Sequence, residues 1–275
     1  MTFSDDYTIP KMIADSTEKY KTLAAQNIRQ KGGDFKPVTY EQTFQLGLDF
    51  AAGLLSLNVK REEPIGLISD NRAEWLQADI GIMSIRAIDV PRGCDATLND
   101  LEKIISTTEC RIVIGENSSQ LNKIISIKEK VPSVQILIHL CPESEIKEST
   151  LEDARKAGLT VYSFEKLIET GKKWRVDNKD VVESELKKGN IDEVATIIFT
   201  SGTTGTPKGV MLTHKNFLYQ LDEIVERIFL NPGDNILNVL PVWHVFEREC
   251  EYVTLIQGGV ISYSKPIGTI LLASL

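Results

Sequence analysis

Apolar and polar positions alternate along this chain in a repeating way. Ile65-Gly66-Leu67-Ile68 is a short unbroken apolar run, followed by Asp70-Asn71, side chains that can cap a helix. Trp75, Leu76, Ala78, Ile80, Ile82 and Met83 then predict a helix that is apolar on much of its surface and therefore well buried. Ala87 to Val90 leads into Pro91 and reads as the next strand. The pattern recurs: a helix over Leu98–Thr107 capped by Asn99 or Asp100, a strand over Arg111–Ile114, a helix over Ser118–Lys130 and a buried strand over Val134–Leu140. Strands alternating with helices at this spacing predict an α/β fold with a mostly parallel sheet covered by helices.

Two stretches depart from the pattern. Residues 142–190 hold 21 charged side chains out of 49, against 25% for the whole chain. That composition predicts a solvated insertion with short helices near Leu151–Ala157 and Phe164–Thr170, and a docking surface is the sharper alternative. The chain is then expected to divide into a first sheet unit over 1–190 and the start of a second over 191–275. In the second, Ala195 to Phe199 reads as a buried strand, and Val210 to Leu212 resumes after a ten-residue loop. Thr213 then caps a helix with Phe217, Leu221, Ile224 and Ile228 on one face.

Composition narrows the function classes. The 275 residues carry a net charge of −8 and a pI near 5.1, which argues against a general nucleic-acid binder. No apolar run approaches the roughly 18 residues needed to span a bilayer. The N-terminus, MTFSDDYTIP, has acids where a secretion leader needs Lys or Arg. Cys94, Cys110, Cys141 and Cys250 form no Cys-x-x-Cys, and only three His are present. Reduced thiols in a cytoplasmic protein are expected, with no structural metal site.

The loop Thr200-Ser201-Gly202-Thr203-Thr204-Gly205-Thr206-Pro207-Lys208-Gly209 carries the chemistry. Its glycines let several N–H groups converge on one anion, its hydroxyls add donors, and Lys208 adds a mobile positive charge. Pro207 restricts Thr206 and stiffens the approach to Lys208. These features fit a polyphosphate cradle, while a Gly/Thr-rich hairpin without a ligand is the plain alternative. The loop is not a Walker A motif, because Pro207 precedes the lysine and Gly209 follows it. No G-x-G-x-x-G follows the first strand, so no dinucleotide fingerprint is present.

The string TSGTTGTPKGVMLTH resembles the phosphate-binding signature of the adenylate-forming superfamily, which includes acyl-CoA synthetases, luciferases and peptide-synthetase adenylation domains. Val38-Thr39-Tyr40 and the Ile65–Pro91 segment, with Asn71 and Trp75, are similar to its early elements. Leu240 to Arg248, continuing to Glu251-Tyr252, resembles the form found in long-chain fatty acyl synthetases, some of which load acyl carrier protein instead of coenzyme A. The resemblance implies layered sheets flanked by helices. It also implies ATP-dependent attack of a fatty-acid carboxylate on the α-phosphorus, release of pyrophosphate, and displacement of AMP by a thiol. ATP, Mg²⁺ and coenzyme A are the implied cofactors and co-substrate.

On this resemblance Thr200, Ser201, Gly202, Thr203, Thr204, Gly205 and Lys208 hold the β- and γ-phosphates, with Lys208 the catalytic charge partner. Trp243 and His244 line the acyl and adenylate pocket. His244 could equally be a structural histidine, Trp243 a core residue, and Glu247 and Arg248 a mutual pair or a cap. His214 reads as structural. The resemblance covers roughly the first half of a ligase. The acid that helps bind Mg²⁺, the ribose-binding aspartate and the adenylation lysine are expected beyond it, so little turnover is expected of these residues alone. A non-catalytic nucleotide-binding fragment is the alternative, and a kinase is distant. Expected partners are a long-chain fatty acid, ATP, and coenzyme A or an acyl carrier protein. Location is expected to be cytoplasmic, with membrane contact by analogy only.

Overall fold

The structure is a computed structural model that describes residues 3–29, 34–200 and 207–263. Its elements run α1 (Ile9–Tyr20), β1 (Ala24–Arg29), β2 (Phe35–Thr39), α2 (Tyr40–Ser56), β3 (Pro64–Ile68), α3 (Ala73–Ser84), β4 (Ile88–Arg92), α4 (Leu98–Thr108), β5 (Ile112–Gly115) and α5 (Ser118–Ser126). They continue as β6 (Ile136–His139), α6 (Glu148–Lys156), β7 (Thr160–Ser163), α7 (Phe164–Asp177), α8 (Val181–Lys188), β8 (Val194–Thr200), β9 (Lys208–Thr213), α9 (His214–Val225), β10 (Asn235–Asn238), α10 (Val245–Ile256) and β11 (Val260–Tyr263).

A seven-stranded sheet has the order β7-β6-β5-β3-β4-β8-β9. Its strands are parallel except at the β8–β9 hairpin. Ile65, Leu67 and Ile68 of β3 and Ile112, Val113 and Ile114 of β5 are inaccessible to solvent. Unbroken apolar runs are what a parallel sheet covered on both faces requires, so the α/β class read from the sequence is present. Thr39 and Gln42 form a reciprocal cap at the start of α2, and Thr213 and Asn216 do the same for α9.

Two expectations need correction. The sheets do not divide near residue 190. A second sheet, ordered β10-β11-β1-β2, joins strands from both ends of the described chain, with Gln26 opposite Ile261. The loop-bearing hairpin β8–β9 instead extends the large sheet beside β4. Strand pairing is non-local, so a linear boundary has no reason to coincide with a sheet.

Nor are residues 142–190 a peripheral insertion. β7 is an edge strand of the large sheet. Phe164, Leu167, Ile168 and Gly171, at helical spacing on α7, are buried against α2. A Cβ at Gly171 would fall on the Asp49 carbonyl, so only glycine permits this approach. Arg175 then donates to Asp49 of α2 at 2.6 Å and pairs with Glu183 of α8. The high charge belongs to the outer face of an integral helix.

Candidate functional site

β8 and β9 pair antiparallel, with Ile198 opposite Val210 and Thr200 opposite Lys208. The register sets Thr200 and Lys208 side by side at the hairpin mouth, and both are exposed. Ser201, Gly202, Thr203, Thr204 and Gly205 lie outside the described residues.

Beside the mouth opens a cleft of about 900 Å³. Ile198, Phe199, Val210 and Leu212 of the hairpin form one wall, with Ile104 of α4 and Phe217 of α9. Thr200, Trp243 and His244 line it as well, joined by Arg92, Asp100 and Glu249 at its polar positions. An apolar lining with a few charged groups suits an amphiphilic ligand. Thus the structure brings Thr200, Trp243 and His244 to one cleft, while Lys208 stands next to the lining residue Pro207 without itself lining it.

Trp243 is half-buried, with the Arg92 guanidinium 4.5 Å from its ring centre. Arg92 also pairs with Asp95 at 3.0 Å. A Cβ at Gly93 would enter the indole, so glycine there lets the ring lie on the backbone after β4. Arg92 and Gly93 carry no sequence signal of this role. His244 is exposed and is the N-cap of α10: its Nδ1 accepts from the Phe246 N–H at 3.4 Å. One histidine therefore caps a helix and lines the cleft. His214 is buried, and its Nδ1 accepts from the Ile9 N–H at 3.4 Å. Burial pushes its pKa down to about 4, as fits a neutral structural histidine.

Glu247 and Arg248 do not pair with each other. Neighbours on a helix point in different directions. Glu247 turns to the backbone N–H groups of Val239 and Leu240, and burial raises its carboxyl pKa. Arg248 has no solvent exposure. It pairs with Asp79 of α3 and with Asp89 of β4 at 3.0 Å, and its Nε donates to the Tyr252 hydroxyl at 2.8 Å. Tyr252 in turn donates to Asp79 at 2.6 Å. Burial pushes the Asp79 carboxyl up to about 7, Arg248 pulling it down and Asp89 adding to the rise. Asp89 is raised for the same chief reason. Because Asp89 carries β4 beside Thr196 of β8, Arg248 fastens α10 to the strands that reach the hairpin.

Asp70 and Asn71 do not cap α3, whose N-cap is Arg72 without a side-chain bond. The Asp70 carboxylate accepts from the Cys94 N–H at 3.0 Å. The Cys94 thiol donates to Glu116 at 3.3 Å, and Glu116 also accepts from the Asp70 N–H at 2.9 Å. Asp70, Cys94 and Glu116 are the one group of potential metal ligands gathered within 4.8 Å among the described residues. Their atoms are engaged in closing the turns after β3, β4 and β5, and burial pushes the Cys94 thiol pKa far up, so the thiolate a metal needs is disfavoured. We assign no metal to them.

The profile of the family described as AMP-binding enzyme matches residues 15–272, and the chain belongs to that family. It is 35% identical over 247 residues to the long-chain-fatty-acid–[acyl-carrier-protein] ligase AEE15, chloroplastic, of Arabidopsis thaliana, covering 89% of this chain and 33% of the relative. It is 25% identical over 264 residues to the long-chain-fatty-acid–CoA ligase ACSBG2 of Xenopus laevis, covering 94% and 34%. The chain thus spans about a third of the curated relatives it matches, where the resemblance implied a half. In fold it is similar to the A domain of the carboxylic acid reductase from Segniliparus rugosus, solved in complex with AMP and a co-purified carboxylic acid. The TM-score is 0.77 at 19% identity, over 95% of this chain and 45% of that one. Among the described residues no helix is long and apolar enough to cross a membrane.

Proposed function

We propose that this chain supplies the pyrophosphate-holding hairpin and one wall of the acyl pocket of an ATP-dependent long-chain fatty acid ligase. The observation that carries the reading is the cationic and hydroxyl mouth, Lys208 beside Thr200, opening next to a largely apolar cleft that Trp243 and His244 help line. A fatty acid needs an apolar surface for its chain and a polar end for its carboxylate. ATP needs donors where the β- and γ-phosphates leave.

In this reading Lys208 is the main charge partner of the leaving pyrophosphate. Thr200, Ser201, Thr203 and Thr204 add hydroxyl donors, and Gly202 and Gly205 add backbone N–H groups. Such preorganised donors act on charge that develops in the transition state. The donor set present, a lysine with hydroxyls and glycines, fits a triphosphate. Mg²⁺, when bound, would neutralise phosphate charge, and no ligand for it is assigned from these residues. Trp243 and His244 flank the acyl end. The acceptor is a thiol, of coenzyme A or of an acyl carrier protein, and the 35%-identical relative is named for the latter. Location is read as cytoplasmic with peripheral membrane contact.

Binding of pyrophosphate and of MgATP to the 275-residue chain, by isothermal titration, tests this. Lys208→Ala is expected to weaken pyrophosphate binding about 10- to 100-fold, as loss of a charge-assisted hydrogen bond does. Fatty-acid-dependent ATP–pyrophosphate exchange by this chain alone is expected to be negligible. Equal pyrophosphate affinity in the variant removes Lys208 from the role. Exchange above the Lys208→Ala background shows that these residues adenylate unaided.

A further inference from the structure

Asn71 stands in the turn after β3, and its side chain does not cap α3 but reaches the end of β10 and the segment that follows it. Its Oδ1 accepts from the Val242 N–H at 2.9 Å, across 171 positions of sequence. Its Nδ2 donates to the Leu240 carbonyl and to Asn238 Oδ1. One amide therefore grips the backbone on both sides of Pro241. Asn238 donates onward to Glu251, a buried carboxylate on α10. The two residues that follow this gripped segment are Trp243 and His244. Trp243 is held further by Arg92 and by the space at Gly93. These holds come from the turn after β3, from the last residue of β4 and from the turn that follows it.

Only an amide of this length presents an acceptor and a donor together. Aspartate would turn a second oxygen toward the Leu240 carbonyl, and leucine would offer neither bond.

We propose that Asn71 is a positioning residue for the cleft: by holding Leu240 and Val242 it sets the angle at which Trp243 and His244 stand against the β8–β9 hairpin. The consequence for fatty-acid binding rests on the functional reading above, whereas the clamp itself does not.

The test uses the 275-residue chain labelled with 5-fluorotryptophan. Its three tryptophans, Trp75, Trp174 and Trp243, give three ¹⁹F resonances, and Trp243→Phe assigns one of them. In Asn71→Ala the Trp243 resonance is expected to shift or split while those of Trp75 and Trp174 stay in place. A fluorescent sixteen-carbon fatty acid is expected to bind about five- to twentyfold more weakly, as loss of one or two hydrogen bonds would give. In the unaltered chain the Val242 amide is expected to exchange slowly with solvent. Fast exchange there overturns the clamp even if the variant does not fold. An unmoved Trp243 resonance also overturns it, as does equal movement of all three, which marks a general structural role. A moved Trp243 resonance with unchanged fatty-acid binding supports the clamp and overturns the acyl reading of the cleft.

Discussion

Replacing Arg248 with methionine isolates the buried ion triad. The substitution keeps an unbranched side chain of moderate length and removes the one cation that, among the described residues, pairs with Asp79 and Asp89, neither of which has solvent exposure. Leaving a buried charge without its partner costs about 3–5 kcal/mol. The loss should depend on pH, and the sign follows from Asp79. Its carboxyl is raised from an ordinary 3.8 to about 7, chiefly by burial. Between those values the folded chain keeps a proton that the unfolded chain releases. This group therefore contributes most in acid, and its contribution declines as the pH rises through 7. Removing Arg248 abolishes the downward pull on both carboxyls and carries the decline to higher pH. Urea unfolding followed by circular dichroism should show Arg248→Met less stable by about 3–5 kcal/mol at pH 8, and by less at pH 5, where Asp79 holds a proton. Adding Asp79→Asn and Asp89→Asn should return most of the loss at pH 8. A deficit equal at both pH values, or below about 1 kcal/mol at pH 8, would refute the triad as the anchor of α10.

The other perturbations probe separate parts of the molecule. Gly171→Ala should press a methyl into the Asp49 carbonyl of α2 and destabilise by about 2–3 kcal/mol. Thermal denaturation would show this as a fall of about 4–12 °C, and no change would return α7 to the periphery. His214 has a folded pKa near 4 against an ordinary 6.5. The unfolded chain therefore takes up a proton first as the pH falls, and stability is lost between about 6.5 and 4, by about 3 kcal/mol in all. His214→Gln should flatten that part of the stability profile, and NMR titration of the imidazole should find it neutral at pH 5.

The sheet strands could be read directly because burial on both faces leaves unbroken apolar runs, as at Ile65–Ile68 and Ile112–Ile114. The helix cap at Thr213 rests on a partner three residues away and belongs to the same local class, whereas the equivalent cap at Thr39 was not read. Misreadings arose where a distant partner outcompetes a near one. Asp70 and Asn71 have capping chemistry, but Asp70 meets Cys94 and Asn71 meets Val242. Glu247 and Arg248 are adjacent opposite charges, but a helix turns them apart, and the aspartates that hold Arg248 lie 169 and 159 positions away. The helix near Phe164–Thr170 was legible, but charge averaged over residues 142–190 concealed its packing, because Lys166, Glu169, Lys172 and Lys173 share α7 with the buried Phe164, Leu167 and Ile168. Composition sums over both faces of a helix, whereas packing uses only one.

The same distinction explains which part of the site was legible. The chemistry of the Thr200–Gly209 loop could be read from its residue types, whereas Trp243 and His244 were singled out only by the family resemblance. Asn71, Arg92 and Gly93 act on those groups, and their residue types declare nothing without the fold. Their placement has a simple cause: in a parallel sheet every strand delivers its following turn to the same edge. The turns after β3 and β4 reach the edge where β8 delivers Thr200. A wall built some 170 residues later can therefore be fixed by side chains that occur before it in sequence. Substitutions at Asn71 or Gly93 should then disturb the cleft while leaving the hairpin mouth at Thr200 and Lys208 in register, because that register depends on β8–β9 pairing alone. Pyrophosphate affinity should accordingly survive Asn71→Ala even as fatty-acid affinity falls. That separation is expected only if the cleft wall and the phosphate hairpin are fastened to the sheet independently.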